Sequence, residues 1–287
     1  MTRKNVLITG CGPHGIGGAL ARQFQLRGHR VFASGLSDAL LADFRDLGMD
    51  TVVMDVTSGA SIAEAVAHVR KAGDGRLDIL VNNAGVFHFA PFLHTAPEDA
   101  RRVFEVNVLG MHAVTQAFAP LLLQASGGGD GGEAGGRGDA VVANLASTSS
   151  FLRPPFISMY SASKAALEVL SATLRTELAP LGIRVITVKT GGVRTGFTKN
   201  VPPTKLPEGS PYAPIKDVIE GRGMLDSGTA MDVDQYAQNV VDELLRPSVK
   251  RVIWQGGLVT ILRLLSWFVW DGLLVRTIGS FSSFSLR

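Results

Sequence analysis

At 287 residues and 46% hydrophobic composition, the chain is long enough for one α/β domain with a substantial core. Its net charge of +3 is mild, and lysines and arginines are scattered rather than striped among aromatics, so no nucleic-acid partner is expected. A single cysteine, Cys11, excludes an internal disulfide and suits a reducing compartment, and the histidines and acids lack metal-ligand spacing, so no metal is expected.

The opening MTRKNVLITG enters a strand at once, over 6–9, with no room expected for a signal peptide. That strand runs into GCGPHGIGGALARQF, a glycine-rich turn opening a helix over 16–27. Gly10, Gly12 and Gly15 spell G-x-G-x-x-G between strand and helix. In that setting glycines let the chain turn tightly and approach a pyrophosphate resting on the helix's positive end. The plainer alternative is a turn that only joins strand to helix, with Cys11 as a small turn residue.

A strand over 29–33, a helix over 38–47, a strand over 51–54 and a helix over 61–71 follow. Next come a fourth strand over 77–81 and a long helix over 98–124 with Gly110 inside it. Residues 126–138, SGGGDGGEAGGRG, form a low-complexity glycine tract, read as a surface insertion rather than a domain boundary. The fifth strand spans 140–145, and the helix after it reaches about 179, where Pro180-Leu181-Gly182 ends it. Strands over 183–188 and 251–254 complete the series. Strands alternating with helices predict a parallel sheet covered on both faces.

Tyr160 and Lys164, in MYSASKAAL, lie four residues apart and so share one helix face. A lysine beside a tyrosine favours the phenolate and lowers the phenol's pKa toward working pH, which suits a proton donor to a carbonyl. Alone, the spacing is weak and also fits a solvated surface. Ser147 stands thirteen residues earlier, just past the fifth strand, where open α/β sheets bind ligands. Its hydroxyl suits the substrate oxygen that Tyr160 would protonate; otherwise it is a common loop serine.

These motifs together resemble the short-chain dehydrogenase/reductase family. The family turn reads T-G-x-x-x-G-x-G, whereas here Thr9-Gly10 is followed by four residues and then Gly15-Ile16-Gly17, with His14 as a further departure. Lengthened turns beginning Gly-Cys are similar to those of fungal members related to NADPH-dependent acyl-dihydroxyacetone-phosphate reductases. Further family marks are Asp55-Val56, Asn82-Asn83-Ala84-Gly85, Asn107, Ser147, Tyr160, Lys164 and Thr190-Gly191-Gly192-Val193-Arg194-Thr195, with Thr190 where the family usually has proline. The resemblance covers about residues 4 to 255.

It implies one Rossmann-type, doubly wound parallel sheet of about seven strands with helices on both faces, a catalytic domain over 1–255 and a lid over 196–231. It further implies hydride transfer between a nicotinamide dinucleotide and a ketone or secondary alcohol. By resemblance, Tyr160 protonates the oxygen, Ser147 stabilises it, Lys164 also binds nicotinamide-ribose hydroxyls, and Asn107 holds a water that returns protons to Lys164. Asp55 and Val56 are expected at the adenine, Asn82, Asn83, Ala84 and Gly85 along the adenosine, and Val193 and Thr195 at the carboxamide and phosphate. Asp55 also reads as a strand-end cap.

NAD users place an acid at the end of the second strand, but Ala33-Ser34-Gly35-Leu36-Ser37 supplies none before Asp38. NADP(H) is therefore expected over NAD(H), with His14, Ser34 and Ser37 as donors to the 2′-phosphate, although no arginine stands near Leu36. His14 reads equally as a solvent-facing turn residue. Phe87, His88, Phe89, Phe151, Leu152, Pro155 and Phe156 border the expected site and suggest an apolar, aromatic or lipid-like ketone.

From Leu258, LVTILRLLSWFVWDGLLV is an apolar helical tail over 256–287, interrupted by Arg263 and Asp271 and too charged for a membrane span. It reads as an interfacial helix with Trp267 and Trp270 at lipid headgroups, or as a helix covering the site or contacting another subunit. A homo-oligomer in the cytoplasm, peripheral on endoplasmic reticulum or lipid droplet, is the matching expectation. The competing class is a family member in a non-redox role, such as a cyclase, an epimerase or a regulatory dinucleotide binder. The intact Ser147, Tyr160 and Lys164 argue for the enzyme, since a binder does not need them.

Overall fold

The computed structural model describes residues 2–127, 140–198, 202–221 and 228–268. The alternation in the sequence is realised in chain order. β1 (Asn5–Ile8), α1 (Ile16–Leu26), β2 (Arg30–Gly35), α2 (Asp38–Asp46), β3 (Asp50–Val53), α3 (Gly59–Ala72) and β4 (Ile79–Asn82) come first. After them run α4 (Pro97–Phe104), α5 (Met111–Ala125), β5 (Ala140–Ser147), α6 (Ser149–Leu152), α7 (Ser158–Leu178) and β6 (Ile183–Thr190). α8 (Lys216–Glu220), α9 (Val233–Leu244), β7 (Val252–Gln255) and α10 (Val259–Phe268) close the described chain.

The seven strands form one sheet, β3-β2-β1-β4-β5-β6-β7, with every pairing parallel. Alternate strand residues feed two cores. Val6, Ile8, Val81, Ala143 and Val188 pack with Phe24 of α1 and Val240 of α9 on one face. Leu7, Leu80, Val142 and Val185 pack with Phe118 of α5 and Val69 of α3 on the other. Burial on both faces is why these strands read as continuous apolar runs. The strand order reverses between β1 and β4, so a crevice opens at the carboxyl ends of the strands, where such sheets hold ligands.

Three departures from the sequence reading matter to the site. The expected helix over 98–124 is Pro97–Ala125, interrupted by a π-helical turn, Glu105–Gly110. Among the described residues it is the helix long and apolar enough to cross a membrane, but half of its most apolar stretch is buried in the protein, as befits a core helix. β5 extends two residues to Ser147, and β6 to Thr190, because the two remain paired in register (Ser147 opposite Thr190). The Thr190 hydroxyl lies 2.7 Å from that of Tyr236, which is fully buried, so threonine here supplies a partner that proline lacks.

The glycine tract beyond residue 127 and the tail from 269, with Trp270 and Asp271, lie outside the described residues. In α10, Val259 and Leu262 are buried, whereas Ile261, Leu264 and Leu265, with Leu258 just before the helix, are exposed.

Candidate active site

The inward face of α7 carries Tyr160 and Lys164, 9% and 5% exposed. The Lys164 ammonium donates to the Leu145 carbonyl at 2.8 Å and lies 5.8 Å from the centre of the Tyr160 ring. Ser147 enters from the end of β5; its hydroxyl accepts from the Ser149 N–H at 3.1 Å and is a hydrogen-bonding neighbour of the phenol.

The electrostatics correct the expected depression of the tyrosine pKa by the lysine. Lys164 addresses the ring rather than the hydroxyl, and burial dominates both groups. Burial pushes Tyr160 up to about 12 despite the opposing pull of Ser147, and it pushes Lys164 down to about 8. At neutral pH the phenol therefore keeps its proton, which is the form a carbonyl reduction needs.

This burial has a consequence for stability. Lys164 loses its proton near pH 8 in the native chain but near 10.5 when unfolded, so over that window the unfolded state binds more protons. The contribution of Lys164 to stability should rise with pH there, its burial penalty being fully present below pH 8. Cys11, raised by burial from 9.0 to about 12, works the other way in the same window, as do the raised Tyr160 and Tyr236 near and above 10.0. In urea melts the wild type should gain about 2 kcal/mol more stability between pH 8 and pH 10 than Lys164→Met does, a comparison in which the opposing Cys11, Tyr160 and Tyr236 cancel. Equal changes in the two proteins would show that Lys164 is not the group responsible.

Behind Tyr160 the π turn presents Asn107, 1% exposed. Its side-chain oxygen accepts from the Val86 N–H at 2.8 Å, and its amide donates to the Val86 carbonyl and to Ser163 Oγ, each at 3.0 Å. Ser163 donates in turn to the Tyr160 carbonyl at 2.7 Å. Asn107 is thus a clamp between the loop after β4 and α7. Both amide hydrogens are spent, so the water relay expected of it has only oxygen acceptors left. Ser163 belongs to the same clamp, and its place inside Y-S-A-S-K was the available signal.

The glycine turn divides into packed and open positions. Gly10 has φ +70°, and a Cβ there would lie 2.7 Å from Ala84 Cα; at Gly17 it would lie 2.5 Å from Asn83 Nδ2 and 2.7 Å from the Gly10 carbonyl oxygen. At Gly12 a Cβ meets nothing within 4 Å, and at Gly15 only the Gly12 carbonyl oxygen at 3.8 Å. Gly15 caps α1 without a side-chain bond, and no acid occupies the first turn. The helix's positive end thus faces open space, a cradle whose bare N–H groups fit a pyrophosphate.

Thr9 and Asn83 stitch this turn to the end of β4. Thr9 Oγ1 accepts from the N–H groups of Asn83 and Ala84, each at 3.0 Å, while Asn83 donates to the carbonyls of Thr9 at 2.8 Å and Gly10 at 3.0 Å. Thr9, read in the sequence as the first residue of the family turn, is thus the post that fixes that turn to β4. Asn82, in contrast, points into the core, donating to Thr115 at 2.9 Å and Asn144 at 2.8 Å, so its side chain holds the sheet rather than facing the cradle. Gly85 completes the floor: a Cβ there would lie 3.1 Å from Asn107 Oδ1 and 3.7 Å from Lys164 Nζ.

The remaining expected cofactor residues scatter around this cradle. Ile16 is partly buried against the core. The Asp55 carboxylate accepts from the N–H and hydroxyl of Thr57 at 2.8 and 2.7 Å, the capping alternative. Val56 is buried against Gly110. Ser34 is 1% exposed, its hydroxyl enclosed without a partner among the described residues; it does not reach the surface as a phosphate donor must. Ser37 and His14 are exposed, Ser37 at the head of α2 with its hydroxyl uninvolved in capping. Asp38 is held by Arg45 at 2.6 Å. Val193 bridges to Met231 through its backbone, and Thr195 accepts from the Phe197 N–H at 3.3 Å.

An aromatic wall covers the other side of Tyr160. Phe89, Phe156 and Ile219 cluster with it, joined by Phe87, Leu206 and Tyr212, so the stretch 202–221 closes over the site. A separate cavity of about 530 Å³ opens between the loop at Arg153 and the flank of α7 bearing Ser161 and Ala165. It shares Phe156 and Tyr212 with the cluster but includes neither Ser147 nor Tyr160, so the chemistry does not lie there.

Residues 4–206 match the family model described as short chain dehydrogenase. The chain is 35% identical over 280 residues to the short-chain dehydrogenase fogD of Aspergillus ruber, covering 96% of this chain and 93% of that protein. It is 33% identical over 268 residues to the NADPH-dependent 1-acyldihydroxyacetone phosphate reductase of Schizosaccharomyces pombe, covering 88% and 86%. A solved short-chain dehydrogenase from Streptomyces avermitilis superposes with a TM-score of 0.77 at 29% identity, covering 98% of this chain and 96% of that one.

Proposed function

The chain belongs to the short-chain dehydrogenase/reductase family, oxidoreductases acting on CH–OH groups, and from that premise we propose that it is an NADP(H)-dependent ketoreductase of apolar substrates. The observation that carries this is the placement of a proton-holding Tyr160 phenol beside Ser147, over Lys164, at the rim of an open glycine cradle.

Gly12, Gly15 and the head of α1 would hold the pyrophosphate, and Lys164, with one protein hydrogen bond among the described residues, keeps donors for ribose hydroxyls. The nicotinamide, when bound, supplies the hydride that the carbonyl carbon accepts. Tyr160 gives its proton to the carbonyl oxygen, and the Ser147 hydroxyl steadies that oxygen as charge develops on it. A charged Lys164 favours the phenolate left behind, and the Asn107–Ser163 clamp fixes the backbone of Tyr160.

NADP(H) over NAD(H) is supported by the missing acid after β2, by the neutralisation of Asp38 by Arg45, by the exposed Ser37 and His14, and by the cofactor named for the Schizosaccharomyces relative. A cytoplasmic oligomer, peripheral on endoplasmic reticulum or lipid droplet, goes with this reading. The exposed leucines of α10 favour a surface or subunit contact for the tail over a helix that covers the site. The test is ketone-dependent consumption of NADPH and NADH across an apolar ketone panel. NADPH should exceed NADH in kcat/KM by about tenfold or more, the worth of one charge-assisted contact. Equal or better use of NADH would overturn the cofactor assignment.

A further inference from the structure

We propose that Phe87 and Phe197 form an aromatic slot over the Tyr160 phenol and make this chain selective for ketones whose carbonyl is attached to a planar aromatic ring. The proposal rests on the ketoreductase reading above and adds the substrate class.

Three rings meet at the catalytic tyrosine. Phe87 stands edge-on to Tyr160, with centroids 4.8 Å apart and planes 65° apart. Phe197 lies 6.2 Å from Tyr160 and 5.8 Å from Phe87, tilted 56° and 59°. Each distance falls in the range where ring quadrupoles attract, so the three form one cluster rather than chance neighbours.

The two phenylalanines are held very differently. Phe87 follows Val86, whose N–H and carbonyl are both taken by Asn107, and two residues later Phe89 accepts at its carbonyl from Thr204. Next along, the Ala90 N–H bonds the Phe156 carbonyl at 2.8 Å. Phe87 is therefore a fixed wall. Phe197 is 39% exposed and sits in an irregular stretch, where among the described residues its N–H is held by one 3.3 Å bond to Thr195. It is the wall that can give way.

A substrate oxygen must reach the phenol and Ser147, yet Tyr160 is only 9% exposed beneath these rings. Of the rings around it, the exposed Phe197 is the one free to swing aside for an entrant, which must then replace the ring contacts that Phe197 gives up. An aromatic ring does so, gaining edge and tilted contacts to Phe87 on one side and Phe197 on the other. A saturated ring of the same outline fills the space but has no quadrupole to offer. Selectivity then follows from differential binding in the slot rather than from the proton transfer itself.

The experiment compares acetophenone with cyclohexyl methyl ketone, in NADPH turnover and in calorimetric affinity with NADP⁺ present. It uses wild type, Phe197→Leu and Phe87→Leu, since leucine keeps the apolar bulk and removes the ring. The acetophenone preference, taken as a ratio between proteins, should fall about two- to twelvefold for each ring removed, in turnover and in affinity alike. Ratios unchanged in Phe197→Leu, or neither ketone binding the wild type, would overturn the slot. Wild type that binds acetophenone selectively but never consumes NADPH would instead sink the redox reading and leave the slot standing. Phe197→Leu changes an exposed side chain, so it decides the matter even if Phe87→Leu does not fold.

Discussion

Tyr160→Phe is expected to lower kcat for ketone reduction by about 10²- to 10⁴-fold, the range of a positioned general acid, while NADPH affinity changes by about twofold or less. The substitution removes one oxygen and keeps the ring that packs against Phe87 and Phe197. Ser147, half-buried and still accepting from the Ser149 N–H, is not left orphaned, so folding should survive. Because the phenol's pKa is pushed up to about 12, the wild type offers a protonated donor through the whole neutral range. Its reduction rate should therefore not fall between pH 6 and 8 through loss of that proton. Steady-state turnover and fluorescence titration of NADPH on the same preparation check both halves. A variant with full turnover would remove Tyr160 from the chemistry. One that binds no NADPH would make the residue a cofactor ligand first.

Local chemistry made most of this legible beforehand. The strands are buried on both faces, so each stood out as an apolar run between turn signals, and the parallel order followed from the alternation. Ser147, Tyr160 and Lys164 lie at a strand end and on one helix face, and they were readable because the family's other motifs fall in order around them, the spacing by itself being weak. What spacing could not supply was the direction of each group. Asn82 and Ser34 turn into the sheet because strand alternation places them there, and Lys164 points at a ring face because its ammonium is anchored on Leu145. The π turn was equally hidden. It results from Asn107 reaching back to Val86 and from Gly110 letting Val56 approach, where a Cβ would lie 2.8 Å from Val56 Cγ2. Both partners are more than twenty residues away in the chain, beyond any periodicity.

The glycine turn yields the sharpest separation of fold from cofactor. Gly17→Ala is expected to destabilise the chain by about 2 kcal/mol, because two effects oppose and the larger wins. Alanine is the better helix former by about 1 kcal/mol, but its methyl would sit 2.7 Å from the Gly10 carbonyl oxygen and 2.5 Å from Asn83 Nδ2. Backbone cannot yield as a flexible side chain does, and overpacking of this kind costs about 1–3 kcal/mol or more. The Asn83 bonds that tie the turn to β4 would go with it. Gly12→Ala should behave in the opposite way. Its Cβ meets nothing within 4 Å, and its φ is not in the left-handed region, so stability should stay within about 0.5 kcal/mol of wild type or rise slightly. The methyl would nonetheless enter the space proposed for the pyrophosphate, and NADPH affinity should fall by about tenfold or more, since a close backbone approach has no slack for a carbon atom. Urea melts and NADPH titrations of the two variants make the comparison. If Gly12→Ala binds NADPH as tightly as wild type, the phosphates do not rest over that glycine, and the lengthened turn must present them to α1 in some other way.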